Sequence, residues 1–396
     1  MNIGIITQLP YPHDREVRGK KIARTLHKEK HNVFIICPKK KEQPKKEKIE
    51  HAIIYRFGYC SSFYLINRIL SITLPMNLLW TLWIFQIGRQ ERTNLLIVRD
   101  IRLVFPAILA AKFLGIPIIW DMAENHVAAT EVLPKNNPWH YVIRNRKLIS
   151  IIEKICVRFI NYIWVVVKEN KERLLKLGVP AKKIGVVSNT PILNSLPNKK
   201  NDKLARYKTK EKFVALYVGN VTKLRGLELI LLSIPHILKK DINIEMVIVG
   251  DGPDRPRLEN LIYQLHIDKV VRFTGWIDSK NIPDIIKKCD IGLIPHHLTE
   301  LTQTTIPNKL FDYMREGKPV LSTNMRPVRK VIEETKCGFI ISNNPKKIAS
   351  LILKLKKSPD LCKKVGQNGQ QAILQKYNWK TESNVILRTI DNLCHK

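Results

Sequence analysis

The sequence predicts an α/β protein built from two consecutive doubly wound units, and three observations predict it. Short apolar runs bounded by loops alternate with amphipathic stretches at helical spacing over most of the 396 residues, the pattern of parallel strands covered by helices on both faces. The alternation breaks once, at the polar stretch 195–211 (SLPNKKNDKLARYKTKE), and then restarts. Several strands of the second half run straight into glycine, which lets a strand-to-helix loop approach a ligand closely.

The first unit is expected over residues 1–194. MNIGIIT is a buried strand, REVRGKKIARTLHKE an amphipathic helix and NVFIIC a second strand. PKKKEQPKKEK reads as a charged loop before the strand AIIYRF, and a long apolar helical region follows. Strand NLLIVRD, helix FPAILAAKFLG, strands PIIWD and YIWVVV, helix KENKERLLKLGV and strand KIGVVSN complete it. After the linker 195–211, the second unit is expected over 212–376. Its strands are FVALYVGN, INIEMVIVGDGP, VVRFTGW and IGLIP, separated by the helices GLELILLSIPHILK, RPRLENLIYQL and IPDIIKKC. TTIPNKLFDYMREGKPVLST (304–323) reads as loop, helix, tight turn and strand, with Pro307 in the helix's first turn and Gly317 ending it. Residues 377–396 are one more helix. Two such units form a cleft, with ligands at the C-terminal ends of the strands.

Hydrophobic residues make up 44% of the chain, enough for two cores. The net charge of +34 is spread evenly, with 32 basic against 14 acidic side chains in residues 1–195 and 36 against 20 in the rest. That argues against a basic tail on a neutral protein. It implies either attraction to polyanions (nucleotide phosphates, anionic lipid headgroups, nucleic acid) or a lysine-rich solvated surface. The seven cysteines are scattered without a CxxC pair, and no signal peptide is evident, so a reducing, cytoplasmic setting without disulfides is expected. Residues 69–85 (ILSITLPMNLLWTLWIF) carry no charge. They read as a buried helix, a helix lying in the membrane interface, or a span; the soluble α/β pattern that resumes directly afterwards disfavours the span.

Candidate chemistry concentrates in the second unit. In LYVGNVTKLRGLELI, Gly219 ends a strand, and Lys223 and Arg225 precede a helix; two cations and helix amides suit a diphosphate. Gly250 ends the next strand in a tight turn. Gly275 and Trp276 of FTGWI offer backbone groups and an indole to a nucleobase, or else place a tryptophan in the core. Asn308 and Asp312 share one helix face, where a carboxylate can accept hydrogen bonds from both hydroxyls of a ribose; Lys309 adds a phosphate contact, and a solvated acid balanced by Arg315 is the plainer alternative. In the first unit, His13, Asp14, Arg15 and Arg18 occupy the first strand-to-helix loop, and Asp121, Glu124 and His126 end a later strand. Either group suits an acceptor hydroxyl or a phosphate, or simple capping.

In this order the pieces resemble glycosyltransferase family 4, retaining enzymes of the GT-B fold, over nearly the whole chain. The most specific parts are YVGNVTKLRG, VIVGDGP, VRFTGWI with CDIGLIP, and PNKLFDYMREGKPVLST; the YNWKTES helix is similar to the family's closing helix, which returns to the first domain. The resemblance implies two Rossmann-like domains facing across a cleft, the first for acceptor and the second for nucleotide-sugar. It implies that Arg225 and Lys223 bind the donor diphosphate, that Asp312 holds the ribose, and that the loop 296–306, with Thr305, covers the donor sugar. WDMAEN resembles a first-domain D-x-H-E segment with Ala123 at the histidine position, so that Glu124 or His126 stands in as the catalytic group beside Arg225. The family's paired acids fall at Thr304 and Asp312, so the first is absent, and Asn220 stands where an arginine is often found.

The implied chemistry is metal-independent, since no DxD motif is evident and Lys and Arg can neutralise the leaving diphosphate. No cofactor is expected beyond the nucleotide-sugar substrate. The expected setting is peripheral, at the inner face of the cell membrane, with a lipid-linked or polysaccharide acceptor and an anionic membrane surface as partners. A sugar-nucleotide 2-epimerase of the same fold and a basic nucleic-acid-binding protein are the alternatives. The first needs paired acid–base residues near the sugar, which the sequence does not offer. The second needs a recognition module with interleaved aromatics, also missing.

Overall fold

The computed structural model describes residues 1–12, 17–40, 42–58, 77–132, 144–193 and 212–394. The chain divides into two compact units, residues 1–188 with 382–396, and residues 189–381. The first boundary therefore falls six residues before the position read from the sequence, and the linker 195–211 lies outside the described residues.

The first unit holds an eight-stranded sheet. Its strands are β1 (Asn2–Ile6), β2 (Asn32–Pro38), β3 (Lys46–Ile49), β4 (Ala52–Phe57), β5 (Leu95–Val98), β6 (Ile118–Met122), β7 (Tyr162–Val165) and β8 (Ile184–Val186). They lie in the order β3-β4-β2-β1-β5-β6-β7-β8, parallel except for β3 against β4. The sequence reading took 38–48 as charged loop, but Lys46–Ile49 is a strand. The structure pairs it as an antiparallel edge strand in register Ile49↔Ala52, and exposed lysine on such an edge discourages further strand addition. Strand order reverses between β1 and β5, which makes this the unit's topological switch point.

The apolar stretch 69–85 is described only from residue 77. There Asn77 caps the helix Leu78–Gln90, accepting from the Leu79 amide at 3.0 Å. Trp80 and Ile84 are completely buried, and Trp80 and Trp83 pack on Phe57 at 4.9 and 5.5 Å between ring centres. This part belongs to the core of the first sheet. Among the described residues, no helix is long and apolar enough to cross a membrane.

The second unit holds β9 (Phe213–Val218), β10 (Ile244–Val249), β11 (Val271–Gly275), β12 (Ile291–Ile294), β13 (Val320–Ser322) and β14 (Gly338–Ile340), all parallel, in the order β11-β10-β9-β12-β13-β14. Its switch point is between β9 and β12. Leu216, Ile248, Leu293 and Leu321 form the buried centre, with Ile230, Ile352 and Leu355 covering it from the helices. The helix Asn308–Arg315 buries Leu310, Phe311, Tyr313 and Met314 and packs on the helix Pro359–Gln375. Pro307 sits one position outside its first turn, as the cap residue, in extended backbone. The last helix, Trp379–Cys394, begins in the second unit and continues in the first, where Thr389 accepts from the Trp164 indole at 3.4 Å.

Candidate active site

The second unit's switch point is lined by the loops after β9 and β12 and by the helix Asn308–Arg315. The backbone itself makes the floor. Gly219 N–H donates to Val249 O (2.8 Å), and Gly250 N–H to Gly275 O (2.9 Å). A Cβ at Gly250, whose φ is +133°, would stand 2.0 Å from Gly219 O, so only glycine fits there. The turn Lys223–Arg225 ends in Gly226 at φ +59°, where a Cβ would meet Pro295 O at 2.2 Å. His297 N–H closes the same contact by donating to Leu224 O (2.9 Å). The loops after β9 and β12 are thus fitted to each other, which holds Arg225 beside His296.

Around this floor two cations, Lys309 and Arg225, sit close together. The Lys309 ammonium lies 3.7 Å from the centre of the Tyr217 ring and 3.1 Å from where a Gly219 Cβ would be. Its Nζ is buried without a hydrogen-bond partner. Burial first, and then the Arg225 guanidinium, hold its pKa well below the usual lysine value, against a smaller opposing pull from Asp312. Arg225 Nη1 lies 3.4 Å from both ring nitrogens of His296, and its Nε is buried and unpartnered. Burial, Arg225 and Lys309 keep His296 neutral. Further out, Glu228 accepts from His297 at 2.7 Å and pairs with Arg257 at 3.1 Å, which anchors the loop after β12.

The helix that carries Lys309 is fixed through Tyr313. Its hydroxyl accepts from Val218 N–H and donates to Leu216 O, both at 3.1 Å. The cap residue, Pro307, makes no side-chain bond to the helix's N-terminal amides, and such amides suit an anion. Asp312 is half-buried one turn on, and Asn308 and Lys223 are exposed. Trp276 follows Gly275 (φ +70°) and is 62% exposed, so it is a surface indole and not a core one. Thr304 is buried and its hydroxyl donates to Glu300 O at 2.7 Å, closing the one-turn helix Glu300–Gln303. Thr305 follows it, half-buried.

In the first unit, His13, Asp14 and Arg15 lie outside the described residues. Arg18 and Asp121 are described and closed on each other. The guanidinium donates to both carboxylate oxygens at 2.7–3.0 Å, Arg99 Nε adds 2.9 Å, and Asp121 is completely buried. Burial raises the Asp121 pKa, but the two arginines outweigh it and hold the carboxyl ionised. The ion pair lies at the C-terminal end of β6, on the residues that the sequence offered for an acceptor or a phosphate. Glu124 is exposed and stands 3.8 Å from His126 Nδ1. The His126 ring stacks on Trp120 at 6.0 Å with its Nε2 buried and unpartnered, and burial with Arg173, Arg102 and Arg99 lowers its pKa to about 3.

Sequence reading missed His296, Tyr217 and Tyr313. The His-His pair directly after the strand IGLIP was the available signal for His296. The tyrosines lie inside apolar runs and are distinguished only by the partners of their hydroxyls.

Two family models cover most of the chain: Glycosyltransferase Family 4 matches residues 16–190 and Glycosyl transferases group 1 matches residues 198–372. The chain belongs to this glycosyltransferase family. Among curated relatives, the alpha-D-kanosaminyltransferase of Streptomyces kanamyceticus is 25% identical over 174 residues, 44% of each chain. The match thus spans less than half of that relative's length. Among solved structures, sucrose-phosphate synthase from Thermosynechococcus elongatus superposes with a TM-score of 0.80 at 14% identity, covering 99% of this chain and 98% of that one. Anabaena HepE, solved in complex with UDP, gives 0.75 at 14% identity over 99% and 100%. These likenesses show that the chain has the GT-B fold.

Proposed function

We propose that the protein is a retaining glycosyltransferase that moves a hexose from a UDP- or GDP-sugar to a lipid-linked or polysaccharide acceptor at the cytoplasmic face of the cell membrane. The observation that carries this reading is the buried, unpartnered Lys309 ammonium beside Arg225 at the β9/β12 switch point. A desolvated cation is costly without an anion, so the site is built for one that arrives with the substrate. A diphosphate matches the two cations and the open amides of the helix Asn308–Arg315. The UDP bound to HepE, which shares this fold, supports that choice.

In this reading the diphosphate lies against Arg225, Lys309 and the helix amides, with Lys223 at its solvent side. Asp312 accepts from the ribose hydroxyls and the Trp276 indole flanks the base. The anomeric C–O bond breaks with its electron pair leaving on the phosphate oxygen, and these cations stabilise that charge, a contribution of several kcal/mol in such sites. The acceptor hydroxyl adds to the anomeric carbon on the same face, and its proton passes to the leaving phosphate. The base can therefore be supplied by the substrate. Arg225 and Lys309 take the neutralising part that a divalent ion plays elsewhere.

Incubation with labelled UDP- and GDP-sugars, with and without membrane lipid, tests the reading. Nucleotide release that survives EDTA is expected. Neither binding nor release with any donor would overturn it, and an isomerised nucleotide-sugar without transfer would replace it with an epimerase.

A further inference from the structure

We propose that the outer face of the helix Arg146–Phe159, in the first unit, docks the protein on an anionic lipid surface. This helix is apolar on two sides. Ile149, Ile152, Cys156 and Val157 are buried against the sheet, which accounts for one side. On the other, Leu148, Ile151, Ile155 and Phe159 are 38, 55, 40 and 61% exposed. Their spacing places them in one stripe along the helix, and among the described residues nothing covers it.

The charges on the same helix name the occupant. Lys147, Lys154 and Arg158 are exposed between the apolar residues. The one acid of the helix, Glu153, faces inward and is neutralised by Arg173, whose Nη2 lies 3.1 Å from its Oε2. The exposed face is therefore interleaved apolar and basic with no acid, which fits side chains entering the acyl boundary beneath negative headgroups. A second copy is disfavoured because it would oppose basic side chains to basic ones. The surface continues over the neighbouring helices of the layer. The helix Ile101–Leu114 packs on Arg146–Phe159 and exposes Phe113 (70%) next to Lys112. The helix Leu78–Gln90 packs on it in turn, with Phe85 edge-on to Phe113 at 6.3 Å, and exposes Leu78 and Leu82 by more than 60% each. The sequence left 69–85 as a buried helix, an interfacial helix or a span, and in its described part the tryptophans are turned into the core. The stripe on 146–159 was hidden because its helix also carries a core-facing apolar side.

The inference deepens the membrane-side reading above and has its own readout. The full chain is mixed with vesicles of phosphatidylglycerol and phosphatidylcholine, or of phosphatidylcholine alone, at low and high salt, and sedimented. Binding to the anionic vesicles only, weakened by salt, is expected. The triple variant Ile151→Ser, Ile155→Ser, Phe159→Ser should lose about tenfold or more of that binding, with melting temperature and UDP affinity unchanged. As a second reporter, Phe159→Trp should shift its emission to the blue on the anionic vesicles. The proposal falls if the serine variant binds as the parent does, if neither vesicle is bound, or if the parent is a dimer that the serine variant dissolves. If the parent binds neither vesicle yet still releases nucleotide, the docking face is removed and the transferase stands.

Discussion

The Lys309 ammonium rests on the face of the Tyr217 ring, 3.7 Å from its centre, and no hydrogen bond satisfies it. A cation–π contact offsets part of the desolvation, and the remainder is a cost that the free protein carries. Lys309→Met keeps the bulk and removes the charge. It should stabilise the free protein by about 1–3 kcal/mol and weaken UDP binding by about tenfold or more. Thermal melts with and without UDP measure both, and a variant that loses stability without UDP contradicts the assignment.

The same lysine gives a protonation signature. Because its pKa in the free protein is well below the usual value, and an adjacent diphosphate raises it, UDP binding should take up protons at pH values between the lowered pKa and the raised one. Calorimetry in buffers of different ionisation enthalpy reads this directly. A binding enthalpy independent of buffer argues against it, and Lys309→Met should abolish the uptake.

Asp312→Ala tests the ribose contact. The variant should lose about tenfold in UDP affinity while inorganic diphosphate still competes as well as before. Equal loss for both ligands would mean that Asp312 acts through Lys309 and not on the ribose.

Tyr313→Phe removes one hydroxyl that serves two backbone groups, Val218 N–H and Leu216 O. The expected cost is about 1–3 kcal/mol in unfolding free energy, with a smaller loss of UDP affinity as the helix Asn308–Arg315 loosens. Denaturant melts decide it.

Glu382 predicts a pH dependence outside the site. It is buried, accepts from Ser188 N–H at 2.8 Å, and burial pushes its pKa up to about 7 against the opposing effects of that amide, Arg18 and Lys21. The folded state thus holds this proton more tightly than the unfolded chain. The contribution is fully present below the ordinary glutamate value and is lost as pH rises through about 7, at most ~3 kcal/mol. Glu382→Gln keeps an acceptor for Ser188 and should melt above the parent at pH 8 but level with it at pH 5. Parallel curves would refute it.

The two parallel sheets were legible because the buried runs FVALYV, MVIV and LLIV have no polar face, and that pattern suits strands covered on both sides. Gly219, Arg225 and the helix of Lys309 were legible because they sit where strands end. The antiparallel edge at 46–49 was not, since its lysines read as loop. Thr304 shows another limit: the missing acid is plain in the sequence, but that its hydroxyl closes a helical turn through Glu300 O depends on loop geometry. The Arg18–Asp121 ion pair was not legible, because pairing across 103 positions leaves no local trace.

The first unit is discontinuous, and that bears on how the molecule can be taken apart. Residues 382–396 belong with residues 1–188, and they bring Glu382 to Ser188 and Thr389 to Trp164. A fragment ending at Ser188 would leave one backbone amide and one indole without their partners. The second unit, an unbroken stretch, is the natural piece to excise. To obtain the first alone, the final helix has to be supplied in trans as a peptide or grafted on by a short loop, so a split reporter built here would report helix docking.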